Sequence, residues 1–222
     1  MGADQPKQFL QIDGMPLVIF TLRRLAACHE ITDFIISTRA DEVLPLQDKV
    51  AKAALGRPAR VIHGGDTRQQ SVANALAQVD PATEIVLVHD AVRPLITAEQ
   101  TSRVIAEARL RGAAILAIPA IDTVKEVKRA SLPEDVALIT ATIPRERLVM
   151  AQTPQAFSFP LLRQAFKKAQ DDDVVGSDEA VLVERTGHEV FAVLGSERNL
   201  KITRPGDLEL ANFYLEQERQ RV

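Results

Sequence analysis

Apolar residues recur along this chain with two periods that take turns. Between Met15 and Cys28 (MPLVIFTLRRLAAC), Leu17, Phe20, Leu22 and Leu25 gather near one face at helical spacing. The next run, DFIISTR from Asp33, is short and β-branched and is expected as a buried strand. Helical spacing returns from Asp41 to Leu55, gives way to a strand in ARVIHGG, and returns from about Thr67 to Val79. A strand in EIVLVHD (Glu84 to Asp90), a helix from Thr97 to Arg111 and a strand in AAILAIP (Ala113 to Pro119) continue the alternation. Strands separated by helices in this way predict an α/β fold, a mostly parallel sheet with helices on both faces.

The rhythm breaks after Pro119. IDTVKEV (Ile121 to Val127) and ALITATIPR (Ala137 to Arg145) flank the turn signal SLPED and predict a protruding β-hairpin arm over about residues 121–146. Both segments are too polar for a central strand, and an exposed arm of this type is suited to pairing with a second subunit. Helices from Pro160 to Ala169 and from Ser177 to Thr186, strands in EVFAVLG and NLKIT, and a last helix from Pro205 to about Gln220 complete the pattern.

Composition narrows the partners. With 222 residues the chain has enough length to bury the core of one large domain. A net charge of −3 gives no bulk attraction to nucleic acid or to an anionic membrane, so any bound phosphate must be held by local groups. The single cysteine, Cys28, excludes an intrachain disulfide framework and a Cys-based zinc cluster and suits a reducing cytosol. No apolar run reaches the roughly 20 residues of a membrane-spanning helix, and the first residues lack the regions of a secretory signal. A cytoplasmic protein is expected.

Ligands of open parallel sheets bind beyond the carboxyl ends of the strands, which singles out HGGDTR, HDAVRP, PAIDTVK and LKITRP. In HGGDTRQQS, Gly64 and Gly65 let the backbone approach a ligand, and the helix start beyond them presents free N–H groups, with Ser71 one turn from Thr67. The same residues also read as a plain turn capped by Asp66 or Thr67. In HDAVRP, Asp90 ends a buried strand, a place suited to Mg²⁺, which takes one or two carboxylates and fills its shell with water and phosphate oxygens. Arg93 can grip a phosphate or carboxylate bidentately, or the two residues can simply pair with each other. His89 reads as structural. Lys7, Asp122, Thr123, Lys125, Arg145, Arg147, Ser177, Lys201 and Arg204 add cations and hydroxyls near strand ends or on the arm. Each alone is an ordinary surface residue, but together with a carboxylate they form the inventory of a phosphate site. The absence of GxSxG, of a Cys/His nucleophile pair and of a complete P-loop argues against a covalent hydrolase, and no GxGxxG follows a strand.

PKQF, GGDTRQQSV, VHDAVRP, DTVK, QTPQAF, SDE and LKITRPGDL occur in one order from Met1 to about Leu215. In this the chain resembles the 2-C-methyl-D-erythritol 4-phosphate cytidylyltransferases of the non-mevalonate isoprenoid pathway. The resemblance implies a Rossmann-like sheet, a β arm embracing the partner of a homodimer, and a Mg²⁺-dependent reaction of CTP with methylerythritol phosphate that releases pyrophosphate. It implies that Lys7 stabilises charge on the α-phosphoryl group, that Gly64, Gly65, Asp66 and Ser71 line the nucleoside pocket, and that Asp90 serves Mg²⁺ and nucleotide. On the substrate side it implies Arg93, Thr153, Ser177 and Lys201, with Asp122, Thr123 and Arg145 reaching across from the arm and Arg145 clamping phosphate. In-line displacement of this type rests on positioning and charge, which accounts for the lack of a nucleophile triad.

The pattern departs from the family at one end. There an apolar strand and a glycine-rich loop, Ala-Ala-Gly-x-Gly-x-Arg, precede a Met-Gly and the Pro-Lys-Gln segment, whereas here Met1-Gly2 falls at that Met-Gly. The expectation is one nucleotidyltransferase domain over residues 1–222, N-terminally incomplete, with two strands unpaired along facing edges, an apolar cleft between helix layers, and little activity. Transfer to ribitol 5-phosphate, and a non-catalytic dimeric subunit, are the alternative readings.

Overall fold

A computed structural model describes residues 9–128, 133 and 135–220. In chain order these form β1 (Gln11–Ile12), β2 (Met15–Pro16), α1 (Leu17–Ala26), β3 (Phe34–Thr38), α2 (Val43–Lys52), β4 (Ala59–His63), α3 (Arg68–Leu76), β5 (Ile85–Val88), α4 (Ala98–Arg111) and β6 (Ala113–Pro119). They continue with β7 (Val124–Lys128), β8 (Leu138–Ile143), β9 (Val149–Ser158), α5 (Phe159–Asp171), α6 (Glu179–Glu184), β10 (Phe191–Leu194) and α7 (Pro205–Arg219). Local chemistry sets the helix ends. Thr97 and Gln100 form a capping box at the start of α4, and Gly112, at φ 88°, closes it in a conformation that suits glycine. Thr67 and Asp178 cap α3 and α6 through their side chains.

The main sheet runs β10-β6-β9-β5. β10 lies parallel to β6, while β9 pairs antiparallel with both β6 and β5. Three strands therefore share a direction and β9 opposes them, so the sheet is mixed, with β9 the antiparallel member. β9 is a strand that alternation of apolar residues did not reveal. NLKIT is a correction, since residues 199–203 form no ladder. Instead Ile202 is buried and its N–H donates to the Val92 carbonyl at 2.9 Å.

Helices cover both faces, as the alternation predicts. Ala114 and Leu116 of β6 join a cluster with Leu22 of α1, Leu46 of α2 and Val104 of α4. Their neighbours Ala113 and Ile115 face the other way, toward Leu162 and Phe166 of α5 and Leu182 of α6. A third cluster joins Ile12, Leu17, Leu95, Ile202 and Ala211, anchoring α7 and the LKITRP segment.

β3 and β4 form their own parallel pair and share no ladder with β5. Between β3 and β5 lies a cavity of about 770 Å³, roofed by Leu22 and Leu25 of α1 and floored by Val72 and Ala75 of α3. Among the described residues no strand pairs with the facing edges of β3 and β5, and the cleft between them is largely apolar. β7 and β8 form the antiparallel hairpin expected as the arm, with Leu138 and Ile139 60% and 59% exposed.

Candidate active site

The mouth of this slot carries the polar residues. β5 delivers Asp90 just past its end, and the carboxylate, 12% exposed, meets three cations. Lys201 Nζ stands 3.0 Å and Arg93 Nε 3.5 Å from Oδ2, and Arg68 Nε stands 3.4 Å from Oδ1. Burial by itself would push the Asp90 carboxyl up, but the Lys201 hydrogen bond and the charges of Lys201, Arg68 and Arg93 hold it below the usual carboxylate range. Arg93 is the most enclosed of the three; burial lowers its guanidinium, and Asp90 works against that. Its Nη1 donates to the Asn199 carbonyl at 2.8 Å, tying the HDAVRP turn to the segment that carries Lys201.

Arg68 was not singled out by the sequence, although it stands inside the GGDTRQQS motif. Its Nη1 and Nη2 donate to Oε1 and Oε2 of Glu179 at 2.7 and 2.9 Å, a bidentate fork on a side chain 1% exposed. Burial pushes the Glu179 carboxyl up and Arg68 pulls it back. Arg68 therefore bridges the first turns of α3 and α6 to Asp90. Three cations face two carboxylates here, leaving positive charge at the mouth. Such a basin favours a polyanion over a free metal ion. Among the described residues no group of three or more His, Cys, Asp or Glu is placed to hold a metal unaided.

The loop after β4 is built for close approach. Gly64 donates to the Thr38 carbonyl at 2.8 Å, and a Cβ there would sit 2.7 Å from Ser71 Oγ. Ser71 Oγ accepts from the Gly65 N–H at 3.0 Å and lies 2.9 Å from the Thr67 carbonyl. Thr67 is the cap of α3, and Asp66 is exposed beside it.

The remaining candidates fall into groups. Thr153, 4% exposed within β9, has its hydroxyl between the Asp90 N–H and His89 Nδ1, each at 3.0 Å. Ser177 is exposed just ahead of α6. Asp122 and Thr123 are exposed at the base of the arm, where Arg145 Nη1 donates to the Ile121 carbonyl at 2.6 Å. Among the described residues no hydrogen bond or ion pair joins this arm group to the Asp90 cluster. Lys7 lies outside the described residues.

Residues 1–217 match the family described as 2-C-methyl-D-erythritol 4-phosphate cytidylyltransferase. A protein of that name from Acidobacterium capsulatum is 51% identical over 218 residues, covering 98% of this chain and 90% of its own. One from Solibacter usitatus is 44% identical over 215 residues, with 97% and 87% covered. Among solved structures, the 4-diphosphocytidyl-2C-methyl-D-erythritol synthase of Anaerococcus prevotii aligns with a TM-score of 0.83 at 30% identity, covering 93% of this chain and 88% of its own. The 2-C-methyl-D-erythritol 4-phosphate cytidylyltransferase of Thermus thermophilus aligns with a TM-score of 0.78 at 34% identity, with 95% and 94% covered.

Proposed function

The chain belongs to the 2-C-methyl-D-erythritol 4-phosphate cytidylyltransferase family, and we propose that the cluster around Asp90 is where it joins CTP to methylerythritol phosphate. An oxygen of the substrate phosphate attacks the α-phosphorus of CTP, a P–O bond forms, the bond to the bridging oxygen breaks, and pyrophosphate leaves. Charge builds on phosphoryl oxygens, so fixed cations are the main catalytic need. The observation that carries this reading is the convergence of Lys201, Arg93 and Arg68 on one carboxylate at the end of β5.

In this reading Gly64, Gly65, Asp66 and Ser71 receive the nucleoside, with the two glycines allowing backbone approach. Lys201 and Arg93 face the substrate phosphate, and Ser177 adds a hydroxyl at the rim. Lys7 stabilises the α-phosphoryl charge. Among the described residues of the cluster, Asp90 would hold Mg²⁺, which would arrive with the triphosphate and supply further positive charge. Asp122, Thr123 and Arg145 serve the site of the partner in a homodimer. The exposed Leu138 and Ile139 on a hairpin of two strands support that assembly, because such a hairpin is marginal until something covers it. A cytoplasmic setting fits the single, unpaired Cys28.

We also infer that the slot between β3 and β5 seats one more extended apolar segment, and that seating it steadies the Asp90 end of β5. Two strand edges facing each other between apolar helices leave room for an extended segment that bonds on both sides.

The test is pyrophosphate release from CTP with methylerythritol phosphate and, separately, with ribitol 5-phosphate, using the chain with its slot filled. Turnover of the first substrate, lost by at least about a hundredfold in D90N, is expected. Preference for the ribitol compound would transfer the chain to a different polyol phosphate. No release with either would overturn the reading.

A further inference from the structure

Asp90 and Arg93 sit on a turn whose main chain is held by a closed run of hydrogen bonds. The Asp90 N–H donates to Thr153 Oγ1 at 3.0 Å. Thr153 Oγ1 stands 3.0 Å from His89 Nδ1, and His89 Nε2 stands 3.1 Å from the Arg93 carbonyl oxygen. The Arg93 N–H donates back to the Asp90 carbonyl at 3.0 Å.

Chemistry permits one direction around this run. The Arg93 carbonyl can only accept, so His89 Nε2 must carry the proton. A neutral imidazole has one N–H, which leaves Nδ1 as an acceptor for the Thr153 hydroxyl. That hydroxyl then offers a lone pair to the Asp90 N–H. Every donor meets an acceptor, and the tautomer of His89 follows from geometry alone.

Thr153 holds a second line as well. Its carbonyl accepts from Asn199 Nδ2 at 2.9 Å, and the Asn199 carbonyl accepts from Arg93 Nη1 at 2.8 Å. Asn199 is fully buried and stands two residues before Lys201. One residue of β9 is thus the node that sets the backbone of Asp90, the side chain of Arg93 and the segment bearing Lys201.

We propose that Thr153 and His89 act as positioning residues of the cytidylyl transfer, fixing Asp90 and Arg93 in place before the phosphates arrive. This rests on the reading of Asp90 and Arg93 as site residues. Preorganised charges are effective because no reorganisation is needed when charge develops, and a shift of the turn would forfeit that.

The test compares T153V, which keeps the side-chain shape but loses the hydroxyl, with T153S, which keeps the hydroxyl. T153A replaces T153V should that variant not fold. In T153V the Asp90 amide is expected to exchange with solvent about tenfold faster, and CTP affinity to fall about tenfold, because a buried donor has lost its acceptor. The Phe157 amide, deeper in β9, keeps its protection. Ring-nitrogen spectra are expected to give His89 as the Nε2–H tautomer in the parent and as a mixture in T153V. T153S restores all three readouts to within about twofold, since it rebuilds the same hydrogen bonds. Unchanged Asp90 exchange in T153V, faster exchange with CTP affinity intact, or a T153S as impaired as T153V would each overturn the inference. D90N binding CTP as the parent does would overturn the site reading and this inference with it. Loss in D90N beside an intact T153V overturns the inference alone.

Discussion

β6 and β5 are apolar runs of one sheet with different fates. AAILAIP of β6 is paired by β9 on one edge and β10 on the other, and its first five residues are buried. IVLV of β5 is at least as apolar, is paired among the described residues by β9 alone, and all four of its residues are only half-buried. β3 repeats the pattern of β5 from the far side of the slot, with its three middle residues half-buried beside β4. Hydrophobicity therefore marks which segments become strands, while burial is conferred by the neighbour on each edge. The mouth of the slot is also where Asp90 sits, so the least completed part of the fold adjoins the candidate chemistry.

The largest effect should come from abolishing the difference. Supplying the slot with an extended apolar segment, as a fusion, should raise turnover and raise the unfolding midpoint. Each new ladder bond adds about 1 kcal/mol net, and a short strand bonded on two edges makes several. Assays of pyrophosphate release and urea unfolding on the fused and unfused chains check this, and no gain in either would mean the slot is not a strand seat. Next, Leu116→Ala in β6 should cost about 2 to 5 kcal/mol, because a fully buried leucine leaves a cavity that cannot collapse. Leu87→Ala in β5, beside an opening, should cost about 1 kcal/mol, roughly half the full transfer free energy of the atoms lost, because the residue is only half-buried. Equal costs in urea titrations would show that the two strands are alike after all.

His89 gives a smaller, pH-dependent handle on the same strand, because it continues β5 into the turn. Its pKa is lowered to about 4, first by desolvation, against hydrogen bonding to the Arg93 carbonyl and the charge of Asp90. The unfolded chain takes up this proton near pH 6.5. Stability from His89 is therefore complete above about pH 6.5 and is lost as pH falls toward 4, up to about 3 kcal/mol in all. Chemical unfolding from pH 7.5 to 5 should show this slope, and H89Q should flatten it. Filling the slot should steepen it, since His89 is now only half-buried and lines the opening.

Much of this was legible in the residues. The strand-end rule pointed to Asp90 and Arg93, which do stand past the end of β5, and to Lys201, which joins them from an extended loop held by the Ile202 N–H on the Val92 carbonyl and not from a strand end. β9 was hidden because VMAQTPQAFS breaks alternation with Gln152, Thr153, Pro154 and Gln155. Each buried polar side chain there bonds a loop: Gln152 the Ser196 carbonyl, Thr153 the Asp90 amide, Gln155 both Asp178 and the Ala180 amide. The proline falls where the register against β6 shifts, the place a central strand tolerates one. The Arg68–Glu179 fork was hidden for a different reason, since its partners are 111 residues apart and nothing in the HGGDTR segment marks its arginine as the partner of a distant buried carboxylate. NLKIT misled because burial of Ile202 in an extended loop produces the same alternation as a strand.

The finest contrast between the two strands lies at single amides. Phe159 donates to the Glu84 carbonyl at 2.9 Å, and the register continues with Val86 opposite Phe157 and Val88 opposite Gln155. In an antiparallel ladder alternate residues exchange both bonds, so Val86 and Val88 aim their N–H groups at β9, and the Asp90 N–H follows on the same side. Ile85 and Leu87 must then aim theirs into the slot, where no strand of the described residues receives them. In β6, with partners on both edges, successive amides should exchange at comparable, slow rates. In β5 they should alternate, with Ile85 and Leu87 fast and Val86 and Val88 slow. A filled slot should erase the alternation by giving the fast amides acceptors. Uniform protection along β5 in the unfused chain would mean that its slot-facing amides already have partners, and the distinction between the two strands would fail at its smallest scale.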